Sequence, residues 1–168
     1  MITALILSII LVVLFVGFVI YKDKKFPESI SAMVYTLPGN WKWIWSIWMV
    51  AVSILTYAPT IQILDPRGLG FLGFLSMVCL CFVAVWPLFD LEHQKLHYTL
   101  AIIGGILTQV CVAFINPYWL FLWIIIPGIV IYDLWKNKKF LVTSKYGVMI
   151  AETICYLTSI GSQLIYTL

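Results

Sequence analysis

The stretch LILSIILVVLFVGFVI, residues 5–20, carries no charged side chain and is apolar along nearly its whole length. A helix that crosses the hydrocarbon core of a bilayer needs about 20 mostly apolar residues. A strand of a membrane barrel instead alternates apolar and polar residues over about 10 positions. Because the run is continuous rather than alternating, it predicts a membrane-spanning helix.

The rest of the chain has the same character. Of its 168 residues, 63% are hydrophobic and 10% are charged, whereas a soluble domain is about half apolar and about a quarter charged. This composition excludes a soluble globular protein and a disordered one. Six segments are long and apolar enough to span: residues 2–21, 43–64, 69–89, 96–115, 118–135 and 147–168. We expect an all-α bundle of six transmembrane helices that forms a single domain, residues 1–168.

The connection between the first two spans is too short and too polar to cross the membrane. Pro27 and Ser29 are typical of a helix start, and the Pro38-Gly39 pair is typical of its end. The residues between them are mostly apolar. We therefore expect a short interfacial helix around residues 29–37 that lies on, or dips into, one membrane face.

Basic residues are distributed unequally between the two sides of the predicted bundle. The connections after the first, third and fifth spans carry nine lysines, whereas the other side carries only Arg67. Cytoplasmic loops are enriched in lysine and arginine. The asymmetry predicts a multi-pass protein of the cell inner (cytoplasmic) membrane with both termini outside the cytoplasm. The lysines are Lys22, Lys24, Lys25, Lys42, Lys95, Lys136, Lys138, Lys139 and Lys145.

Four tryptophans crowd the start of the second span: Trp41, Trp43, Trp45 and Trp48. Tryptophan is enriched at membrane interfaces, where its amphipathic ring suits the headgroup level. We interpret the four side chains as an anchoring belt.

The last span carries a polar stripe. Glu152, Tyr156, Ser159 and Gln163 follow i, i+4, i+7, i+11 spacing, which places them on one helix face. Such a stripe is typical of hydrogen bonds between helices, of a substrate or ion pathway, or of a catalytic group. Glu152 lies about 8 Å inside the span, so we expect it to be protonated or paired with a cation. His97 lies at a similar depth, and we expect the two side chains to approach directly or through one water.

A second cluster lies at the start of the fourth span and contains Asp90, His93 and His97. The two histidines are four residues apart and share a helix face, a spacing that can hold one metal ion. With Glu152 or Asp90 they could form an open catalytic zinc set. The alternative is a pair of interfacial histidines beside an acidic helix N-terminus. With only two histidines, the chain lacks the three-histidine signature of membrane hydrolases of the ceramidase and adiponectin-receptor type.

Three short motifs carry a resemblance to a known family. They are PESISA at residues 27–32 with Tyr35, FLGFL at residues 71–75, and Asp90 with His97-Tyr98. In order and spacing they resemble a small family of polytopic membrane proteins from gut bacteria and their phages. That family brings no known activity. The resemblance implies only that the turn around residues 29–35 and His97 matter together.

These patterns favour a non-enzymatic protein that binds or moves a lipid or small molecule through a polar cavity open to the cytoplasm. A metal-dependent lipid hydrolase at the cytoplasmic leaflet stays open, as does a membrane effector or helper that acts through partner binding. We expect no cofactor and no bound metal, with His93 and His97 as the candidate ligands if a metal binds. The expected partners are membrane lipids and, through small-residue helix faces, a second copy of the chain, but no nucleic acid. The candidate binding residues are Glu152, His97, His93, Asp90, Ser31 and Tyr156.

Overall fold

The computed structural model describes residues 1–88, 94–128, 131, 135 and 147–167, with the backbone alone for Asn40 and Gln94. Every regular element in these residues is helical. The five long α-helices are α1 (Ile2–Asp23), α2 (Lys42–Leu64), α3 (Gly70–Val85), α4 (Gln94–Ile115) and α5 (Gly147–Thr167). Short 3-10 helices connect or extend them.

The structure confirms the predicted all-α membrane bundle. Five helices of the described residues are long and apolar enough to cross a membrane: Ile2–Asp23, Lys42–Arg67, Gly70–Leu88, Lys95–Ile115 and Gly147–Thr167. The sixth predicted span, residues 118–135, begins as the 3-10 helix Pro117–Ile124 and continues as apolar helix to Gly128. Most of its remainder lies outside the described residues.

The turn between α2 and α3 shows how the sequence sets the antiparallel packing. The 3-10 helix Asp65–Arg67 follows α2 directly, and Gly68 then adopts a left-handed conformation with φ of 69°. Glycine takes this conformation without strain because it has no Cβ. The tight reversal lets Gly73 of α3 approach Thr60 of α2, where an added Cβ would lie 3.2 Å from the threonine methyl.

Helix α2 is the centre of the bundle and packs against α1, α3, α4 and α5. Half of its spanning residues are buried, against 22% in α1 and in α3. Its hydroxyl side chains Ser46, Ser53, Thr56 and Thr60 are all buried. Polar groups in a bilayer must find partners within the protein. Ser46, Ser53 and Thr60 donate to backbone carbonyls of α2 itself, and Thr56 hydrogen-bonds to Ser8 of α1.

Two tryptophans of the expected anchoring belt lie in the core. Trp45 is fully buried and donates from its ring nitrogen to the carbonyl of Ile30 at 3.2 Å. Trp48 stacks on Phe15 of α1, with ring centroids 4.3 Å apart, and donates to the carbonyl of Leu11 at 2.9 Å. A buried indole N–H normally finds such an acceptor.

The belt interpretation is therefore wrong for Trp45 and Trp48. Trp41 and Trp43 are about half exposed, as interfacial side chains would be. Trp43 lies on a different face of α2 from Trp45 and Trp48, whereas Trp41 precedes α2, at the end of the 3-10 helix Gly39–Trp41.

Candidate functional site: the polar seam of α5

The polar stripe of α5, which we call the seam (Glu152, Tyr156, Ser159 and Gln163), faces the interior of the bundle. Ser159 and Gln163 are buried, and Glu152 and Tyr156 are partly buried. By contrast, Leu157 on the outer face of the same helix is 49% exposed. The i, i+4, i+7, i+11 spacing thus places these groups on a common inward face.

Glu152 holds the loop between α1 and α2 against the start of α5. Its carboxylate oxygen Oε2 accepts a hydrogen bond from the backbone N–H of Ile30 at 2.6 Å. The Ile30 carbonyl accepts from the Trp45 ring nitrogen, and the Met149 N–H donates to the carbonyl of Glu28 at 3.2 Å. Three bonds from two helices therefore fix residues 28–30.

The short helix predicted around residues 29–37 is present as a 3-10 helix, Ser31–Thr36, which we call the plug. The Ser29 hydroxyl accepts from the Ala32 N–H at 3.0 Å and lies 3.1 Å from the Ser31 hydroxyl. Met33 and Val34 are buried at its centre. They belong to a cluster with Val19, Leu37, Trp45, Trp48, Val52 and Met149. The plug thus inserts between the helix ends.

The middle of the seam is hydrogen-bonded to two other helices. The Tyr156 hydroxyl lies 2.9 Å from the Ser8 hydroxyl of α1, which in turn lies 2.9 Å from the Thr56 hydroxyl of α2. Further along, the Gln163 amide nitrogen donates to the Ser159 carbonyl at 3.0 Å and to its hydroxyl at 3.1 Å. The Gln163 amide oxygen is buried and has no hydrogen-bond partner in the part of the chain that the structure describes.

A separate set of hydroxyls joins α2, α3 and α4. Tyr57 and Ser76 both hydrogen-bond to Thr108, with 2.7 Å between the Ser76 and Thr108 oxygens. The Gly104 carbonyl also accepts in this set and lies 2.9 Å from the Ser76 oxygen and 2.7 Å from the Thr108 oxygen. Every hydroxyl in this set has a partner, so its role is to join helices.

A third set centres on Gln109 of α4. Its amide oxygen accepts from the ring nitrogen of Trp123 at 2.7 Å and from the Thr158 hydroxyl at 3.0 Å. Its nitrogen donates to the Cys155 sulfur at 3.1 Å. The signal that could have predicted this set is an isolated Gln or Thr within an apolar run, such as Gln109 or Thr158, which indicates an interhelical hydrogen bond.

His97 lies away from the seam, in an aromatic setting. Its ring centroid is 6.1 Å from that of Trp86 and 5.7 Å from that of Tyr98. Its Nδ1 atom is buried and has no hydrogen-bond partner among the described residues. Asp90 and His93 lie outside the described residues, so their convergence with His97 stays a prediction.

Glu152 and His97 form no direct hydrogen bond, contrary to the direct contact expected from their depths. Helices α4 and α5 run parallel, because Gly105 pairs with Cys155 and Gln109 with Thr158 further along both helices. At 1.5 Å per residue, His97 lies about 12 Å before Gly105, whereas Glu152 lies only about 4.5 Å before Cys155. The resulting offset of about 8 Å leaves Ile30 as the hydrogen-bond partner of Glu152.

The described residues contain no group of three or more His, Cys, Asp or Glu side chains that could hold a metal ion. Two open depressions lie on the surface of the described residues. One, of about 530 Å³, is lined by Met1, Ile2, Thr3, Tyr166 and Thr167. The other, of about 250 Å³, is lined by Gly39, Lys42, Trp43, Pro87 and Leu88. Neither depression is lined by a seam residue, although the first includes Thr167, which donates to the Gln163 carbonyl.

Fold and composition together define a multi-pass α-helical membrane protein. Comparison of the chain with protein-family models, with curated proteins and with solved structures finds no match.

Proposed function

We propose that this membrane protein is non-enzymatic and binds or moves a lipid or small molecule along the seam of α5. The observation that carries the proposal is the seam itself, which runs from the Glu152 carboxylate near one end of the helix to the Gln163 amide near the other. Their separation of eleven residues corresponds to about 16 Å along the helix, roughly half of a hydrocarbon core of about 30 Å.

The seam differs from the polar groups that only join helices. The hydroxyls around Thr108 and the groups around Gln109 satisfy one another. In the seam, by contrast, the Gln163 amide oxygen is left without a partner among the described residues. A buried polar atom without a hydrogen bond costs about 1–3 kcal/mol, and ionisable groups within spans mark functional positions by default. These two features favour a ligand pathway over packing alone.

The Glu152 end of the seam is the cytoplasmic end in this proposal. Lys22 ends α1, Lys42 begins α2 and Lys95 lies in the first turn of α4. Because α1 to α4 alternate in direction and α5 runs parallel to α4, all three lysines lie at the same end of the bundle as Glu152, and Arg67 lies at the other. This clustering supports a cytoplasmic plug with both termini outside.

The described conformation is the closed one in this proposal. The buried side chains of Met33 and Val34 fill the Glu152 end of the bundle, and the Ile30 N–H donates a hydrogen bond to the Glu152 carboxylate. Passage along the seam requires the plug to move away from α5. Pro27 and Pro38, which flank the plug, mark the limits of the segment that would move.

Cysteine accessibility tests the pathway. Ser159→Cys and Gln163→Cys are made in a chain whose four native cysteines are replaced by alanine, with Leu157→Cys as the matched lipid-facing control. The chain is embedded in vesicles and treated with a small, water-soluble cationic thiosulfonate. A thiol reacts as its thiolate, so only positions that water reaches are modified. We expect both seam cysteines to react and the control to stay inert. If all three are inert, the seam only packs helices and the proposal fails.

A further inference from the structure

We infer that the seam binds a lipophilic organic cation, an ion with one positive charge and apolar substituents, in the space now filled by Ile30 and the plug. The inference rests on the proposed function and names the class of ligand. Glu152 supplies the counter-charge, and the buried aromatic side chains near the plug supply the walls.

The charge of the seam favours a cation. Among the described residues, Glu152 is the one acidic side chain more than a turn inside a spanning helix, since Asp23 and Asp65 lie at helix ends. No described lysine, arginine or histidine forms an ion pair with it, and its hydrogen-bond partner is the neutral Ile30 N–H. A carboxylate in this position is stabilised best by an opposite charge. The other seam groups are hydroxyls and an amide, which carry no charge.

The surroundings of the plug are aromatic and thioether-rich. Trp45 is fully buried and contacts Ile30 through its ring nitrogen, while Trp48 stacks on Phe15 in the same cluster. Met149, one turn before Glu152, belongs to that cluster too. Organic cations bind to the faces of aromatic rings, and tryptophan is the strongest of these partners. A carboxylate one residue contact away from a buried tryptophan, through Ile30, therefore suits a cation with apolar groups better than it suits a hydrated metal ion.

The plug occupies this space as an internal substitute for the ligand. It offers Glu152 one N–H donor, from Ile30, and fills the neighbouring volume with the apolar side chains of Met33 and Val34. A full positive charge interacts with a carboxylate more strongly than a neutral N–H does. A cation that reaches Glu152 would thus displace the plug, and this competition couples binding to opening.

Among the described residues, no lysine at this end of the bundle hydrogen-bonds to Glu152. Lys22 donates to the Thr36 carbonyl, at the far end of the plug from Glu152, and it is exposed. Exposed charges are screened over about 8 Å at physiological ionic strength. The opposite inference, that these lysines make the region a site for lipophilic anions, is an outcome of the test below.

The test measures binding of two hydrophobic ions of the same shape and opposite charge, tetraphenylphosphonium and tetraphenylborate. The purified full chain is placed in phosphatidylcholine nanodiscs, and empty nanodiscs give the background. We expect saturable binding of tetraphenylphosphonium that weakens at least about tenfold in Glu152→Gln, as loss of a charged partner predicts. Asp23→Asn, which removes an exposed charge at the same end, should bind like the wild type. Equal binding of tetraphenylborate, or unchanged affinity in Glu152→Gln, would overturn the inference.

Competition by the plug is tested at Ile30. The backbone at Ile30 has φ of −61°, which proline adopts without strain, so Ile30→Pro removes the N–H while keeping the local conformation. We expect this variant to bind tetraphenylphosphonium several-fold more tightly, and Ile30→Val, which keeps the N–H, to bind like the wild type. Equal affinity in the two variants would show that the plug does not compete.

The two proposals fail separately. Seam cysteines that react with the thiosulfonate, together with no saturable tetraphenylphosphonium binding, would overturn the cation and leave the pathway. Inert seam cysteines would overturn the pathway, and the inferred ligand with it.

Discussion

Gly161 of α5 is the helix position where an added methyl group has the least room. A Cβ at Gly161 would lie 2.5 Å from Cη2 of Trp119 and 2.6 Å from both Cζ2 and Cζ3. Non-bonded carbon atoms pack at about 3.5–4.0 Å. Gly161→Ala must therefore displace the Trp119 ring, or α5 itself, by about 1 Å.

The expected loss follows from two opposing effects. Overpacking a closely packed contact destabilises by about 1–3 kcal/mol, whereas alanine is favoured over glycine in a helix by up to about 1 kcal/mol. We expect Gly161→Ala to lower the free energy of unfolding by about 1–2 kcal/mol. Gly105→Ala on α4 is the matched control, because no atom lies within 4 Å of its Cβ position. It should be neutral or slightly stabilising.

Thermal unfolding in detergent, followed by circular dichroism, measures the difference. In a chain of this length 1 kcal/mol corresponds to about 2–4 °C, so Gly161→Ala should melt about 2–8 °C below the wild type. Adding Trp119→Leu removes the ring and should abolish most of the extra penalty of Gly161→Ala. If Gly161→Ala and Gly105→Ala melt together, Trp119 does not pack on α5, and the described position of the Pro117–Ile124 helix is wrong.

Further substitutions at Glu152, Thr108 and Trp45 test the interior hydrogen bonds. Glu152→Gln should melt near the wild type, because its amide oxygen still accepts from the Ile30 N–H. Glu152→Leu leaves that N–H unpaired and should lower the free energy of unfolding by about 1–3 kcal/mol. The melting temperatures of the two variants test this difference, and equal values would contradict it. Thr108→Val should lose about 0.6–1.7 kcal/mol, the range for hydrogen bonds between membrane helices, while Thr99→Val at an exposed position of the same helix should lose less. Trp45→Phe removes the donor to the Ile30 carbonyl, and limited proteolysis should then cut the plug faster than in the wild type.

The ends of the spanning helices follow from apolar length and from proline. The segment predicted at residues 43–64 is observed as Lys42–Leu64, because both of its limits are marked by charged or polar residues. The third span, predicted at residues 69–89, is observed as Gly70–Leu88, in which α3 ends at Val85 and a 3-10 helix, Trp86–Leu88, follows. Pro87 explains the change of helix type, because proline lacks the N–H that a further turn of α-helix would use.

Residue type alone could not sort the tryptophans, whereas helical periodicity divides those of α2 between two faces without showing which face is buried. Trp45 and Trp48 are three residues apart and share a face, whereas Trp43 is two residues from Trp45 and lies on another. The first face packs on α1 and the plug, and the second is exposed. Which face is buried depends on the neighbouring helices, and that information is not contained in the segment itself.

The partner of Glu152 shows a different limit of sequence reasoning. The backbone N–H groups of spanning helices already have partners within their helix, so the sequence suggests a side chain as the partner of Glu152. His97 is the basic side chain at a similar depth. A loop that enters the bundle adds donors that such a search omits. Ile30 is the N-cap of the plug, and the first N–H groups of any helix lack partners within it. A carboxylate at that position satisfies one of them and is favoured by the orientation of the peptide dipoles. Because the donor is backbone, no substitution at position 30 except proline removes it, so Glu152 keeps this partner whatever side chain the plug carries there.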